Sequence, residues 1–370
     1  MKNIAFAILP LLIDGFMLPG EQCNLHRAAP PPADGPYVLY TNNKILVHQI
    51  LEEDGVLRAA TSTYETGKKG EISLLVGTDI PGKFFPVKLK SELEPERTEY
   101  NDVKKQFILS DIEGNFGAFR QLLQAGGVID TNFQWTFGNG HLVLTGDFVD
   151  RGTMVNEVLW LIYSLEDQAK AAGGYVHYVL GNHEIMNMSG DLRYVHAQYL
   201  KAAALLNTGF TDLYGPNSEL GRWLRTKNVM EKIGDILFVH GGVSAPVNMM
   251  ELSTSRLNKM VRPHYADSLM KFKQPELEIL YSDLGPFWYR GYYGGAYRAH
   301  LSTIDSTIRH YKVKKIATGH TVIADTISAL MGGKLINTDV HHLKGHTEAL
   351  MEEEGIFYRV LPSGEKKRFL

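Results

Sequence analysis

What most constrains this chain is a series of short apolar runs, each closed abruptly by glycine and polar residues. They are FILS at 107, HLVLTGD at 141, YVHYVLGNHE at 175, ILFVHGG at 236 and KIATGH at 315. Runs of this length suit buried strands and are too short for independent helices. Helix-like segments lie between several of them, for example Phe116 to Gln124 and Thr153 to Ala172. That alternation predicts an α/β domain, in which polar clusters at the carboxyl ends of strands form the site. Lys334–Thr338 and Ile356–Val360 read as two further strands. The stretch from 187 to about 231 reads as mostly helical, with turn residues at 215–217, and is expected to form a cap above the strand ends.

The region before this pattern has a different character. Short β-prone runs (Tyr37–Tyr40, Lys44–Leu51, Glu71–Val76, Lys83–Leu89) are broken by Asn42-Asn43, Asp54-Gly55 and Pro81-Gly82 turn signals. They predict a small β-rich module over 37–104, read as a structural or docking appendage, ahead of a catalytic domain over 105–370. Residues 1–36 read as a leader ending in a proline-rich linker, AAPPPADGP at 28–36. Met1-Lys2-Asn3 followed by the apolar run Ile4–Ile13 is similar to a secretory signal but lacks an obvious processing site. Export through that segment and a cytoplasmic protein with a buried or frayed N-terminus therefore stay open, and membrane association is expected only through it. The formal net charge of −3 and the scattered basic residues argue against nucleic acid as a partner. The lone Cys23 rules out a cysteine-built metal site.

Chemistry-bearing residues collect at the ends of the apolar runs. Asp111 and Glu113 follow the first run, and at i and i+2 of an extended chain the two carboxylates would converge and need a cation. Asp147, Asp150 and Arg151 follow the second, Asn182 and His183 the third, His240 the fourth and His320 the fifth. Each is a weak signal alone, but their joint recurrence is a strong one. A donor set of carboxylate, amide and imidazole without cysteine suits two borderline divalent ions such as manganese, iron, zinc or nickel. Asp147, between the strands bearing Asp111 and Asn182, is the natural bridge. Two such ions clamp a phosphoryl group and activate water for in-line displacement, which describes hydrolysis of a phosphate ester.

DIEGN, GDFVDRG, GNHE, HGG and GH, in that order, resemble the five-motif signature of the calcineurin-like metallophosphoesterases. GDFVDRG and GNHE are similar to the phosphoprotein phosphatase branch, in particular its bacterial-like members related to Shewanella-type phosphatases. The resemblance covers about Phe107 to Thr338 and implies a β-sandwich flanked by helices in four αββα layers, with two metals at the strand ends. Carried over residue by residue, Asp111 would bind the first metal, Asp147 would bridge, and Asn182, His240 and His320 would bind the second. His183 would be the general acid that protonates the leaving oxygen, oriented by Asp150, and Arg151 would grip the phosphate. Arg290 in FWYRGY is the expected second phosphate arginine, with Arg222 and Arg225 as alternates. Tyr289, Tyr292 and Tyr293 would either wall the cleft or simply pack.

The family's first motif is DxHG, so Glu113 stands where a histidine ligand is expected. As a ligand it would give the first shell three carboxylates and favour a harder ion such as manganese or magnesium. It could instead accept hydrogen bonds from metal-bound water, or mark a dead site. The resemblance implies a phosphomonoesterase acting by direct attack of a bimetal-bridging hydroxide, with manganese the first expectation. The expected substrate is a phosphoprotein side chain (Ser, Thr or Tyr). The alternatives are small phosphorylated metabolites or dinucleoside polyphosphates, or a non-catalytic phosphate-binding module.

Overall fold

The computed structural model describes residues 32–267 and 271–370. The leader expectation and Cys23 lie outside the described residues. Two six-stranded sheets make the centre. The first runs, edge to edge, Lys366–Arg368, Ile356–Val360, Ala349–Glu353, Lys105–Leu109, His141–Leu144 and Tyr175–Tyr178. The second runs Ser328–Leu330, Leu335–Asn337, Lys315–Thr318, Ile236–Val239, Met230–Ile233 and Glu99–Tyr100. Strands 105–109, 141–144 and 175–178 are mutually parallel, as are 236–239 and 315–318.

The layering follows from the two-residue period of a strand. Ile108, Val143 and Val179 point to one side, where they meet Ile236, Phe238, Ala317 and Ile336 of the second sheet in the dry interior of the sandwich. Their neighbours Phe107, Leu109, Leu142, Leu144 and Tyr178 point to the other side, into a core shared with the outer helices. Both faces of the three parallel strands of the first sheet are thus covered, and they read as mostly apolar runs.

The expected N-terminal β-rich region is present, and among the described residues it belongs to the same compact unit as the sandwich. Its strands Pro32–Thr41, Lys44–Glu53 and Val56–Glu65 form a three-stranded sheet, and Ser73–Gly77 pairs with Phe84–Lys88. The proline-rich segment is expected to run to residue 36. Residues 32–36 already belong to the first strand, whose register shifts around a buried Asp34 that accepts from the Tyr37 hydroxyl at 2.6 Å. This β layer packs on helix Val155–Ala171: the Trp160 indole donates to the Pro36 carbonyl at 2.9 Å and Asn156 to Asp34 at 2.8 Å. Phe85 lies 6.2 Å from Phe116 and 5.3 Å from Phe133, joining the two regions through aromatic rings. With a sheet on each side, helix 155–171 is buried on every side from Val155 to Tyr163, and only its C-terminal turns reach the surface. In the expected cap, helices Ala197–Leu205 and Glu219–Leu224 are present, but Met230 and Glu231 already belong to the sandwich.

Helix 155–171 also carries a buried acid. Glu157 is buried, one of its carboxylate oxygens has no partner, and burial pushes its pKa up to about 8 from the ordinary 4.5 of a glutamate. A carboxyl whose folded pKa lies above its unfolded one binds an extra proton when folded, so its contribution is full below pH 4.5 and is lost as pH rises to about 8. Replacing it with glutamine should remove that loss. Denaturant titrations should show Glu157→Gln gaining on the wild type by a few kcal/mol, roughly, between about pH 5 and pH 8, with little difference at pH 4.

Candidate metal centre

The chemistry-bearing residues meet where the parallel strands of both sheets end. The loop after strand 105–109 and the loop after strand 141–144 run side by side: the Asp111 amide donates to the Gly146 carbonyl at 2.9 Å, Glu113 to Asp147 at 3.0 Å and Gly114 to Phe148 at 3.1 Å. The chain is not extended there. Asp111 and Glu113 have φ of 52° and 50°, so left-handed turns and not the alternation of a strand direct their side chains. Asp147, Asp150, Arg151 and His320 are left-handed as well. Such a concentration of non-glycine residues in a sparsely populated region marks a locally over-determined site.

Glu184 fixes the second loop. One carboxylate oxygen accepts from the Phe148 amide and the Tyr178 hydroxyl, both at 2.8 Å, and the other from the amides of Asp147 at 3.0 Å and Gly181 at 2.7 Å. Two glycines leave room for the carboxylates, since a Cβ on Gly181 would overlap Asp147 Oδ1 and one on Gly319 would overlap Asp111 Oδ2.

The ligand atoms of Asp147, His240 and His320 lie within 4.8 Å of one another, as do those of Glu113, Asp147 and His183. Asp147 belongs to both groups, the position a bridging ligand requires. His240 shows that the first group suits a cation. Its Nδ1 lies 2.7 Å from the Thr145 carbonyl and must donate, while Nε2 faces two acceptors, Asp147 Oδ2 and Asn182 Oδ1, each at 3.1 Å. A neutral imidazole would present a lone pair to both oxygens, so three acceptors converge with no donor among them, and a metal ion satisfies all of them. His320 is oriented in the same manner: Nε2 lies 3.1 Å from the Trp288 carbonyl, which leaves Nδ1 with its lone pair. The surrounding carboxylates favour positive charge at this point. Burial pulls the His240 pKa down, but Asp147 and Asp111 outweigh it and push it up to about 10. Burial, opposed by His240 and reinforced by Asp147, pushes Asp111 up to about 6. Burial would raise Asp147 too, yet His240 and His183 hold it below the usual carboxylate range.

Beside this centre, His183 Nδ1 lies 2.7 Å from Asp150 Oδ2, and its Nε2 lies 3.7 Å from Asp147 Oδ2. Burial lowers the His183 pKa, but Asp147 and Asp150 together raise it above 6.5. A cavity of about 430 Å³ opens over the cluster, lined by Asp111, Glu113, Asp147, Arg151, His183, Arg290 and His320. Arg151 is ion-paired with Glu113 across its mouth. Arg290 donates to the His320 carbonyl at 2.5 Å and to Thr321 at 3.1 Å, which ties it to the His320 loop.

The arginines of the cap do not reach the cavity. Arg222 lies 3.7 Å over the Tyr40 ring and donates to the Pro216 carbonyl at 2.7 Å, which corrects its expected phosphate role. Arg225 donates to the Tyr214 and Gly221 carbonyls. Of the three tyrosines, Tyr289 and Tyr292 are buried and bonded to backbone, Tyr293 is bonded to Thr318, and none lines the cavity. Sequence reasoning missed Glu184, Asp339 and Tyr194. Asp339, buried in the cavity wall just past strand 335–337, was findable by the same strand-end rule as the others.

The calcineurin-like phosphoesterase family model matches residues 105–324. Shewanella-like protein phosphatase 2 of Arabidopsis thaliana is 25% identical over 327 residues, 76% of this chain and 82% of its own length. An uncharacterised protein of Schizosaccharomyces pombe is 32% identical over 243 residues, 63% of this chain and 71% of its own. Among solved structures, the cold-active protein-tyrosine phosphatase of a psychrophilic Shewanella species is 35% identical, covers 91% of this chain and 99% of its own, and superposes with a TM-score of 0.81. The family match spans more than half of the chain and takes in every cluster described above except the wall residue Asp339; the chain belongs to the calcineurin-like phosphoesterase family and is a phosphatase, of a kind that implies divalent metal ions.

Proposed function

We propose that this phosphatase acts on phosphoproteins, releasing phosphate from Ser, Thr or Tyr side chains in one displacement without a phosphoenzyme. The observation that carries this is the juxtaposition of the His183–Asp150 pair with the Asp147 cluster at the floor of a cavity flanked by Arg151 and Arg290. The likeness to a protein-tyrosine phosphatase over 99% of its length, and to a Shewanella-like protein phosphatase over 82% of its own, supports a phosphoprotein substrate.

Asp111, Glu113 and Asp147 would hold one ion, and Asp147, Asn182, His240 and His320 the other. Manganese is favoured by the carboxylate-rich first set. When bound, two such ions supply Lewis-acid charge neutralisation and make a nucleophile available from water at neutral pH. The remaining work belongs to side chains. His183 Nδ1–H is held by Asp150, and the carboxylates of Asp147 and Asp150 keep a second proton on Nε2 at a pH where a free imidazole would lose it. That proton goes to the leaving oxygen. Arg151 and Arg290 bind the non-bridging oxygens, and the arriving phosphate competes with Glu113 for the Arg151 guanidinium.

Two substitutions test the assignment. His183→Ala should lower kcat on an aryl phosphate by roughly 10²–10⁴-fold while elemental analysis shows unchanged metal content. An undiminished kcat would remove His183 from the acid role. Glu113→His removes one negative charge from the first set and frees Arg151. Metal-stripped protein reconstituted with manganese, magnesium, iron, zinc or nickel should then shift its preference towards the softer ions, and KM for the phosphate ester should fall several-fold. The ligand assignment fails if metal preference and stoichiometry stay as in the wild type.

A further inference from the structure

Next to the cavity residue His183, an aromatic ring stands beside the proposed acid. Tyr194, in the turn that follows helix Asn182–Ser189, is 41% exposed, and its ring centroid lies 5.0 Å from that of His183. Two guanidinium groups flank it, Arg151 at 5.1 Å and Arg193 at 5.7 Å from the ring centroid. The ring is held in place from several directions. The Arg151 amide donates to the Tyr194 carbonyl at 2.9 Å, and Arg193 is clamped by Asp191 through Nε–Oδ1 and Nη2–Oδ2 contacts of 2.8 Å each.

We infer that Tyr194 is the platform against which an aromatic leaving group packs, making this site selective for aryl phosphate esters, phosphotyrosine among protein substrates. The inference rests on the assignment of His183 as the acid. Whatever oxygen takes the proton from His183 lies within hydrogen-bond reach of its ring, so the carbon skeleton attached to that oxygen leaves the cavity past the neighbours of His183. Tyr194 is a large apolar neighbour of His183 that is still partly uncovered. A phenolic ring is bonded directly to the leaving oxygen and is wide enough to meet Tyr194 edge or face, whereas the single methylene of a seryl ester passes without contact. The flanking guanidinium groups fix the platform and add cation–π attraction to an incoming ring. Ordering the platform in advance lowers the entropy lost on binding, so the contact favours aryl over alkyl esters instead of merely filling space.

The test compares paired substrates on the manganese-reconstituted enzyme: a phosphotyrosine and a phosphoserine peptide of otherwise identical sequence, and phenyl phosphate against glycerol phosphate. The aryl-to-alkyl ratio of kcat/KM is measured for wild type, Tyr194→Phe and Tyr194→Leu, with Tyr194→Met as a second aliphatic variant. Comparing ratios between variants cancels the different intrinsic reactivities of the esters. Tyr194→Phe should keep the wild-type ratio within about twofold, and the aliphatic variants should lower it about tenfold, through KM for the aryl ester, with alkyl turnover little changed. Equal loss on both ester classes would assign Tyr194 to support of His183, and no loss on either would assign it no role. Both results overturn the inference. If the wild type refuses both peptides while the phenyl-to-glycerol ratio still collapses in the aliphatic variants, the phosphoprotein reading fails and the platform stands. If the peptides are turned over but the ratio ignores Tyr194, the platform fails and the phosphoprotein reading stands.

Discussion

One buried carboxylate sets the geometry on which the centre depends. Glu184 takes four hydrogen bonds, three of them from backbone amides that belong to two different loops, and so locks the loop carrying Asp147 to the helix carrying Asn182 and His183. Asp147 then has nowhere else to sit: its amide is held by Glu184, one carboxylate oxygen accepts from the His183 amide at 2.9 Å, and the other faces His240. The desolvation of Glu184 is offset only while all these donors are present, because a buried carboxylate without partners is among the costliest groups a fold can contain. A bridging ligand must be fixed to a few tenths of an ångström for two ions to share it. A carboxylate behind the loop achieves this better than packing could, since hydrogen bonds have direction.

The left-handed residues extend the same logic. Asp111, Glu113, Asp147, Asp150, Arg151 and His320 each adopt a backbone conformation that costs free energy for any residue with a Cβ. The cost is met by the bonds between neighbouring loops and by the interiors of the two sheets on which those loops stand. Glycines are reserved for the positions where an approaching carboxylate leaves no room at all, as at Gly181 and Gly319. Rigid strands thus carry the chemistry on short strained turns, and only the rim belongs to the longer loops of the helical segment.

Much of this was legible before any coordinates, and the reasons are physical. Strand ends such as Leu109, Leu144, Val239 and Thr318 were visible because buried parallel strands leave uninterrupted apolar runs, and the place of Asp147 between its neighbours followed from strand order. Glu184 was passed over because an acid inside a motif reads as polar surface. The signal was its spacing three residues after Gly181, the position at which a side chain reaches back to a helix start. Strand Val56–Glu65 was missed because it is exposed along its whole length and so has no apolar face to give a period. The β-rich character of the N-terminal region was legible as well, but not its packing. Turn signals show where strands end but are silent about which other segment covers them, and here helix 155–171 and Phe116 do so. Tyr194 carried no sequence signal, since its meaning lies wholly in what stands next to it.

Helix 155–171 begins four residues after Arg151, directly behind the loop that also bears Asp150, and it is sealed on its far side by strands that precede the family match at residue 105. The segment that carries the shared motifs is therefore not a unit that could be cut out and kept. Without residues 32–104, the outward side of the helix, with Trp160 and Asn156, would face water. The loss would be felt first in the turn from which the helix springs. The boundary of a conserved motif and the boundary of an autonomous folding unit are different lines in this chain, and expression of the catalytic region alone would cross the second while respecting the first.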